Sequence, residues 1–131
     1  MERRIKFRGW NNKHNKWLYG YYANSQGFSI IIEENYEERT LEDVLVNKKT
    51  VGQYTGLKDK NGKEIYEGDI VTIGSDLKAM VIWFNGSFRF QDELSSKATY
   101  FDDMGVIMRD YDVAVIGNIH DNPELLKGGE K

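Results

Sequence analysis

Residues 81–90 read VIWFNGSFRF, and this stretch is the strongest indicator of fold in the sequence. Asn85 and Gly86 separate the apolar run VIWF from the run SFRF, in which apolar residues alternate with polar ones. An Asn-Gly pair tolerates the positive φ angles of a type I′ turn, which joins two antiparallel strands. The stretch therefore predicts a β-hairpin beside an apolar core. On this interpretation Trp83, and Ile116 in a later apolar run, belong to that core.

Related patterns lie on both sides of this hairpin. A second Asn-Gly pair, at residues 61–62, lies between the runs LKDK and KEIY and predicts another hairpin or a looser loop. Runs rich in β-branched residues predict strands at 28–32, 70–73 and 113–116. Short strands, frequent Gly or Asn turns and almost no helical periodicity predict a mainly β chain, folded as a roll or small barrel.

The length of the chain predicts its organisation. A chain of 131 residues is expected to form a single domain. Within it, the patterns favour an N-terminal hairpin region over about residues 1–50 and a tighter barrel over about residues 51–120. Near the end, Asn122 suits a helix N-cap and Pro123 the first helical position, which predicts one short C-terminal helical turn. Its apolar anchors would be Leu125 and Leu126.

The opening residues alternate in the manner of a half-buried strand. Ile5 and Phe7 are predicted to face the core, whereas Arg4, Lys6 and Arg8 are predicted to face water. This alternation gives the first strand one apolar face and one basic face.

The segments that follow are mostly polar. Residues 11–15, NNKHN, predict a turn, and residues 16–19 predict the returning strand. The acidic stretch 33–43 predicts a surface loop. Within it, residues 40–43, TLED, suit a capped helical turn, whereas residues 44–46 would equally extend a strand, and the sequence does not decide between the two.

Composition limits the classes of function. The chain has no Cys, which excludes a disulfide framework, a thiolate nucleophile and a cysteine zinc site. Its formal net charge of −3 gives no overall attraction to nucleic acid or to an anionic membrane. No apolar run approaches the roughly 18 residues that a membrane span needs. The basic first residues lead into no apolar stretch, so a secretory signal is not expected and the sequence predicts a cytoplasmic protein.

Residues 53–71, QYTGLKDKNGKEIYEGDIV, resemble the signature of the YopX family. That family consists of small proteins encoded by phages and prophages of bacteria, mostly Gram-positive ones. Two further stretches are similar to it: IKFR at 5–8 with Trp10, and VIGNIH at 115–120 with NPEL at 122–125. The resemblance therefore reaches both ends and the middle of the chain.

The resemblance implies a fold and a setting but no chemistry. It implies an SH3-type β roll, in agreement with the strand pattern, and expression from a phage or prophage genome in a bacterial cytoplasm. The family has no established biochemical activity, so the resemblance supplies no catalytic residues. The acidic residues 33–46 match no part of the family pattern.

The signature itself allows two interpretations. In the structural one, Gly56, Gly62 and Gly68 permit tight turns, and Asp69 accepts hydrogen bonds from nearby backbone amides. In the functional one, the segment is a binding loop, because basic and aromatic side chains are close together in it. Those side chains are Tyr54, Lys58, Lys60, Lys63 and Tyr66.

No pattern in the sequence predicts an enzyme, a cofactor or a metal site. There is no Gly-x-Ser-x-Gly elbow and no glycine-rich phosphate loop. A metal site needs three or four convergent ligands, and His14 and His120 are the only histidines. Neighbouring residues on a strand point to opposite faces, so Asp102 and Asp103 predict a polar turn before Gly105 rather than a catalytic pair.

The leading functional prediction is a non-enzymatic protein–protein interaction module. Seventeen aromatic residues exceed what so small a core readily buries, and Tyr and Trp are favoured at interfaces. The candidate interface tyrosines are Tyr21, Tyr22, Tyr36 and Tyr100. The partner would be a phage or host protein, or a second copy of this chain in a homo-oligomer.

The alternative prediction is a nucleic-acid-binding β barrel. Small barrels bind single strands by stacking bases on aromatic rings within a basic groove. Arg4, Lys6 and Arg8, with Trp10 continuing the same alternation, predict a basic-aromatic strand face. For either kind of partner the candidate contact residues are Arg4, Lys6, Arg8, Trp10, Tyr54, Lys58, Lys60, Lys63 and Tyr66.

Overall fold

Strands account for most of the residues described by the structure, a computed structural model. The described residues are 3–35, 37, 39–92 and 103–127. The mainly β prediction is confirmed. By its internal contacts the chain divides into two units, Met1–Tyr54 and Thr55–Lys131. No helix in the described ranges is long and apolar enough to span a membrane.

The strands pair in an antiparallel manner. In chain order they are β1 (Phe7–Asn11), β2 (Lys16–Ser25), β3 (Phe28–Glu33), β4 (Asn47–Lys58), β5 (Glu64–Tyr66), β6 (Asp69–Ile73), β7 (Leu77–Phe84), β8 (Ser87–Asp92) and β9 (Val113–Asn118). The helices are α1 (Leu41–Val44), α2 (Met104–Asp110) and a 3-10 helix (Pro123–Lys127). The strand orders are β3-β2-β1-β4-β5 and β8-β7-β6-β9. Neither sheet closes into a barrel within the described strands, so the SH3-type roll stays a prediction.

The first unit contains β1, β2, β3, α1 and the start of β4. Its buried core is small, with Leu18, Ile31 and Val46 at the centre. The predicted β1–β2 hairpin is confirmed, with Asn11 paired to Lys16 across the turn. The predicted strand at 28–32 is also confirmed, as β3.

The start of the first strand differs from the prediction. Strand β1 begins at Phe7, so the alternation does not extend back to Ile5, which is 51% exposed. Arg8 is only 5% exposed and does not face bulk water as predicted. Its guanidinium carbon lies 4.9 Å from the ring centroid of Trp17. A planar guanidinium stacks well on an indole ring, and this contact helps to explain how the cation is accommodated in a buried position.

A short helix occupies the segment that the sequence left undecided. Helix α1 begins after Thr40, whose backbone N–H and hydroxyl both donate to Oδ2 of Asp43, at 3.1 Å each. Asn11 lies beneath this turn with no exposed surface, and its amide nitrogen donates to the carbonyl of Leu45 at 2.8 Å. These bonds fix the helical turn because they satisfy backbone groups at both of its ends.

The second unit contains the end of β4, strands β5 to β9, helix α2 and the 3-10 helix. Its core is larger and includes Ile65, Val71, Phe90, Met104 and Val113. The predicted strands at 70–73 and 113–116 are confirmed as β6 and β9.

Both Asn-Gly predictions are confirmed. Asn85 and Gly86 have φ angles of 51° and 83°, as a type I′ turn between β7 and β8 requires. The other pair lies in a looser loop between β4 and β5, where Gly62 has a φ of 86°.

Two residues expected in the core are exposed, and the prediction was wrong for both. Trp83 is two residues from buried Val81 on β7, so both side chains lie on the same face of the sheet. Trp83 is nevertheless next to the hairpin turn and is 55% exposed. Its ring packs edge-on against Phe88, with centroids 4.8 Å apart.

Ile116 is displaced by an irregularity in strand pairing. Ile70 pairs with Gly117 and the next residue, Val71, pairs with Val115, so Ile116 is the extra residue of a β-bulge. A bulged residue loses its place in the in–out alternation, and Ile116 is 39% exposed.

Helix α2 was not predicted. Asp103, which was expected in a polar turn, is its N-cap, and Oδ1 accepts a hydrogen bond from the Val106 N–H at 3.1 Å. Met104 is buried in the core. Seven residues are too few to show a helical period, so the sequence pattern alone gave no helix signal. Asp102 lies outside the described residues.

The predicted C-terminal helical turn is confirmed as the 3-10 helix. A Cβ on Gly117 would approach Oδ1 of Asn122 to 2.6 Å and Cδ1 of Leu125 to 2.9 Å. The turn therefore packs closely on β9 at a position that only glycine permits.

Candidate functional site

Basic and aromatic side chains share one face of the first unit's sheet. Strand pairing places Arg8 opposite Tyr19 and Trp10 opposite Trp17. The Trp10 and Trp17 rings meet edge-on with centroids 5.6 Å apart, and Arg8 stacks on Trp17. The core side chains Phe7 and Leu18 alternate with these residues along the strands and therefore lie on the opposite face of the sheet. Of the four residues predicted to form a basic-aromatic strand face, Arg8 and Trp10 lie on this face and Arg8 is buried, whereas Arg4 and Lys6 precede β1.

A groove of about 510 Å³ lies in the first unit, between the chain before β1 and the middle of β2. We call it the basic-aromatic groove. Three basic residues and two tyrosines line it together with one aliphatic and one acidic side chain and a glycine. The lining residues are Arg3, Arg4, Ile5, Lys6, Tyr19, Gly20, Tyr21 and Glu34.

Gly20 lets strands β2 and β3 approach each other beside the groove. A Cβ at this position would come within 2.2 Å of the carbonyl oxygen of Ile32 and 2.9 Å of the Cα of Glu33. Both contacts are with backbone atoms, which cannot move aside as a flexible side chain would. The glycine therefore keeps β2 and β3 close, and Tyr19 and Tyr21 flank it on the strand that lines the groove.

The groove exposes apolar surface beside positive charge. Ile5, Tyr19 and Tyr21 are 51%, 42% and 61% exposed. Arg4 makes an ion pair with Glu34, with Nη2 and Oε1 3.3 Å apart, and both side chains are more than half exposed. Exposed ion pairs contribute little to stability, so a carboxylate from another molecule can replace Glu34 at small cost. The arrangement suits a ligand that combines carboxylates with apolar groups.

The N-terminal residues predicted as contacts have different environments. Arg4 and Lys6 line the basic-aromatic groove. Lys6 also lies over the ring of Tyr54, with its Nζ 5.6 Å from the ring centroid. Tyr54 is 7% exposed, and Trp10 is partly buried against Trp17. Of these residues only Arg4 is largely open to a partner.

The sequence missed Arg3 and Tyr19. Arg3 precedes the alternating run, so no strand pattern includes it. Tyr19 pairs with Arg8 across the hairpin because Asn11 belongs to β1 and pairs with Lys16. The turn predicted at residues 11–15 would instead pair Tyr19 with Phe7 on the core face, so the predicted register gave no signal for Tyr19.

Most of the signature segment has a structural role in the second unit. Asp59 is 6% exposed, and its carboxylate accepts three backbone N–H groups at 2.9 Å. The donors are Asn61, Lys63 and Val115. Burial alone would raise the pKa of Asp59, but these three hydrogen bonds outweigh it and hold the pKa below its usual value. This carboxylate closes the β4–β5 loop and ties it to β9.

The other signature residues divide by exposure. The side chains of Lys58, Lys60 and Lys63 are exposed on the loop. Tyr66 is 2% exposed, and its hydroxyl donates to Oε1 of Glu64 at 3.1 Å. The predicted amide contact of Asp69 is confirmed, since its Oδ2 accepts the Tyr66 N–H at 2.7 Å. Both aromatic residues of the proposed binding loop, Tyr54 and Tyr66, are therefore core residues, and of the five candidates only the lysines are exposed.

The candidate interface tyrosines also differ from one another. Tyr21 is exposed in the basic-aromatic groove. Tyr22 faces the core side of the same strand, where its hydroxyl lies 3.1 Å from the Ser29 hydroxyl. Tyr36 and Tyr100 lie outside the described residues.

The two histidines make separate local contacts. Nε2 of His14 lies 2.8 Å from Oδ1 of Asp43, which also accepts a hydrogen bond from Lys13 at 2.8 Å. Hydrogen bonds from Lys13 and then His14 hold the pKa of Asp43 well below its usual range. The backbone N–H of His120 donates to the side chain of Asn118. Across residues 3–35, 37, 39–92 and 103–127, no three His, Cys, Asp or Glu side chains group as metal ligands.

Comparisons with known proteins agree with the resemblance seen in the sequence. The model of the family described as YopX protein matches residues 6–127. The SPbeta prophage-derived uncharacterized protein YopX of Bacillus subtilis (strain 168) is 32% identical over 120 residues, which cover 82% of this chain and 89% of the relative. The crystal structure of protein EF1440 from Enterococcus faecalis is similar, with 28% identity and a TM-score of 0.54. That match covers 95% of this chain and 99% of the other.

Proposed function

This chain belongs to the YopX family, and from that premise we propose that it is a phage- or prophage-derived, non-enzymatic module that binds another protein through the basic-aromatic groove. The setting follows the Bacillus subtilis relative, which is described as prophage-derived. The proposed site of action is the bacterial cytoplasm.

One observation carries the proposal. Arg4 in the groove already holds a carboxylate, that of Glu34, next to three exposed apolar side chains. Tyrosine and arginine are enriched where protein interfaces derive their affinity, because both combine apolar area with hydrogen-bonding groups. An acidic protein segment with apolar side chains would reproduce the contact with Glu34 and cover Ile5, Tyr19 and Tyr21.

A photo-crosslinking experiment tests this function. The photoreactive residue p-benzoylphenylalanine replaces Tyr21 in the full chain, which is expressed in a bacterium and irradiated. We expect discrete adducts that proteinase removes and nuclease leaves intact. The same residue at Leu41, which is 47% exposed in the same unit but outside the groove, is the matched control.

Charge reversal in the groove makes the experiment specific. Arg3→Glu combined with Arg4→Glu should reduce the Tyr21 adducts by about tenfold, since each 1.4 kcal/mol of lost binding energy is a factor of ten. The absence of adducts at position 21, or identical adducts from positions 21 and 41, would show that the groove is not a protein-binding site.

Nucleic-acid binding is the second candidate, because Arg3, Arg4 and Lys6 lie beside exposed tyrosine rings. Bases stack on such rings while cations contact the phosphates. Protein binding is favoured because aliphatic Ile5, 51% exposed in the groove, offers no ring for base stacking but suits contact with an apolar side chain. Nuclease-sensitive adducts from position 21, or affinity for single-stranded DNA that falls steeply between about 50 and 200 mM salt, would support nucleic acid instead.

A further inference from the structure

The second unit has a cleft of about 530 Å³ between the β6–β7 turn and helix α2. We call it the acidic cleft, and its lining residues are Ile73, Gly74, Ser75, Asp76, Leu77, Ile107 and Tyr111. Ile73 belongs to the buried core, and Leu77 and Ile107 pack against that core, so the floor of the cleft is apolar. Tyr111 forms an exposed wall at 56% exposure.

Backbone hydrogen bonds hold both sides of the acidic cleft in place. The Gly74 N–H in the turn donates to the Asp112 carbonyl oxygen at 2.8 Å, and the Tyr111 N–H donates to the Ile107 carbonyl oxygen at 3.1 Å. The first bond joins the β6–β7 turn to the chain after α2. The cleft is therefore preformed, which lowers the entropy cost of filling it.

The acidic cleft has one carboxylate in its lining and two more on residues next to its lining residue Tyr111 in the chain. Asp76 lines the cleft, and Asp110 and Asp112 lie on either side of Tyr111. All three carboxylates are on exposed residues. Arg109 is two residues from Ile107, about 200° around the helix axis, so its side chain leaves α2 on the opposite side. An occupant should therefore carry an apolar group between positive charges.

The chain contains a segment of this description. In residues 3–6, RRIK, exposed Ile5 lies between Arg4 and Lys6, and the segment forms one side of the basic-aromatic groove. We infer that the partner of the basic-aromatic groove is a second copy of this chain, whose acidic cleft receives Ile5 while its carboxylates face Arg4 and Lys6. This inference rests on the proposed function, since it takes the groove to be the binding site.

The contact joins two different surfaces, the groove of one copy and the cleft of the next, so it predicts a particular mode of assembly. Each copy offers one groove and one cleft, and such heterologous contacts add copies in succession unless a ring closes. Self-association should rise with concentration and weaken with salt, because exposed charges beyond a Debye length are screened.

Sedimentation velocity on the full chain, over about a hundredfold range of concentration, measures the association. Two reversals are introduced separately: Arg3→Glu with Arg4→Glu in the groove, and Asp76→Lys with Asp112→Lys at the cleft. Each pair should weaken association by about tenfold or more, because like charges then face each other. The combined variant should associate within about threefold of the original chain, since opposite charges face each other again.

A net-charge control separates this contact from general repulsion. The groove reversal combined with Glu42→Lys and Glu124→Lys has the same formal charge as the combined variant, but these two exposed acids lie outside the acidic cleft. This control variant should stay dissociated. All the substituted residues are exposed, so unfolding midpoints should match the original chain and confirm that each variant folds.

The outcomes separate this inference from the proposed function. Association of the combined variant without association of the net-charge control supports the second copy as partner. A chain that stays monomeric at every concentration while position 21 crosslinks a different protein overturns the inference and leaves the proposed function in place. A monomeric chain with no protein adduct at position 21 overturns both.

Discussion

The signature segment 53–71 and the basic-aromatic groove look alike in sequence and differ in structure. Both combine Lys or Arg with Tyr. In the signature segment, Tyr54 and Tyr66 are buried and Asp59 is committed to backbone amides, whereas Tyr19 and Tyr21 in the groove are exposed. The comparison teaches that a basic-aromatic pattern does not identify a binding surface by itself. What separates the two regions is whether the aromatic side chains face a core.

Removal of the Asp59 carboxylate should have the largest effect on stability. Asp59→Ala leaves three backbone N–H groups without their acceptor, and unsatisfied buried donors cost about 1–3 kcal/mol each. We expect the free energy of unfolding to fall by about 3 kcal/mol, since local rearrangement and water recover part of that cost. Urea unfolding followed by circular dichroism measures the change.

Lys60→Ala is the matched control on the same loop. Its side chain is exposed, so the substitution should change the free energy of unfolding by less than about 0.5 kcal/mol. Equal effects of Asp59→Ala and Lys60→Ala would contradict the structural role assigned to the signature and would reopen the loop as a binding element.

The pH dependence of stability should show the same carboxylate. The pKa of Asp59 is lower in the folded chain than its usual 3.8, so ionised Asp59 stabilises the fold above that pH. The contribution is lost as pH falls through the folded value, because the unfolded chain then binds the proton more readily. The stability difference between the original chain and Asp59→Asn should therefore shrink below about pH 4. A difference that persists undiminished to lower pH would show that ionisation of Asp59 does not matter.

Much of the fold follows from local patterns in the sequence. The turn at Asn85-Gly86 and the runs at 28–32, 70–73 and 113–116 predicted strands that the structure contains. Such predictions succeed because the turn geometry and the strand preference depend on neighbouring residues alone.

The errors arise where pairing between distant strands decides the outcome. Ile116 is exposed because β9 bulges against β6, and Trp83 because β7 continues beyond the part of the hairpin that packs on the core. Arg8 is buried, with its guanidinium stacked on the ring of Trp17 on the next strand. None of these relations is visible within one strand, so alternation alone assigns the wrong exposure.

The candidate site was predicted only in part, because it too depends on contacts between segments that are distant in the sequence. Arg4, Lys6 and Tyr21 were named from the sequence and line the groove, whereas Arg3 and Tyr19 were missed. The groove forms where β2 passes the residues before β1, and the close approach of β3 at Gly20 was not predicted. Its location depends on packing between segments rather than on any single run.

Tyr66→Phe sharpens the comparison within the signature segment. The substitution removes the hydroxyl that donates to Glu64 at 3.1 Å but keeps the buried ring. One lost hydrogen bond of this kind costs about 1 kcal/mol, so the unfolding midpoint in urea should fall modestly. Tyr21→Phe is the matched control in the groove, where the exposed hydroxyl should contribute almost nothing to stability. A larger loss at position 21 than at position 66 would reverse the assignment of core and surface.

Arg4→Ala should have the smallest effect on stability and a clear effect on binding. Its ion pair with Glu34 is exposed, and such pairs contribute about 0–1 kcal/mol, so the free energy of unfolding should change by less than about 0.5 kcal/mol. Crosslinking from position 21 should nevertheless decrease, because the partner carboxylate loses its guanidinium. Glu34→Gln separates the two roles of this pair: it should leave stability unchanged and increase crosslinking, since it frees Arg4 for the partner. A decrease with Glu34→Gln would mean that Glu34 itself contacts the partner, and the groove would then favour a ligand with positive rather than negative charge.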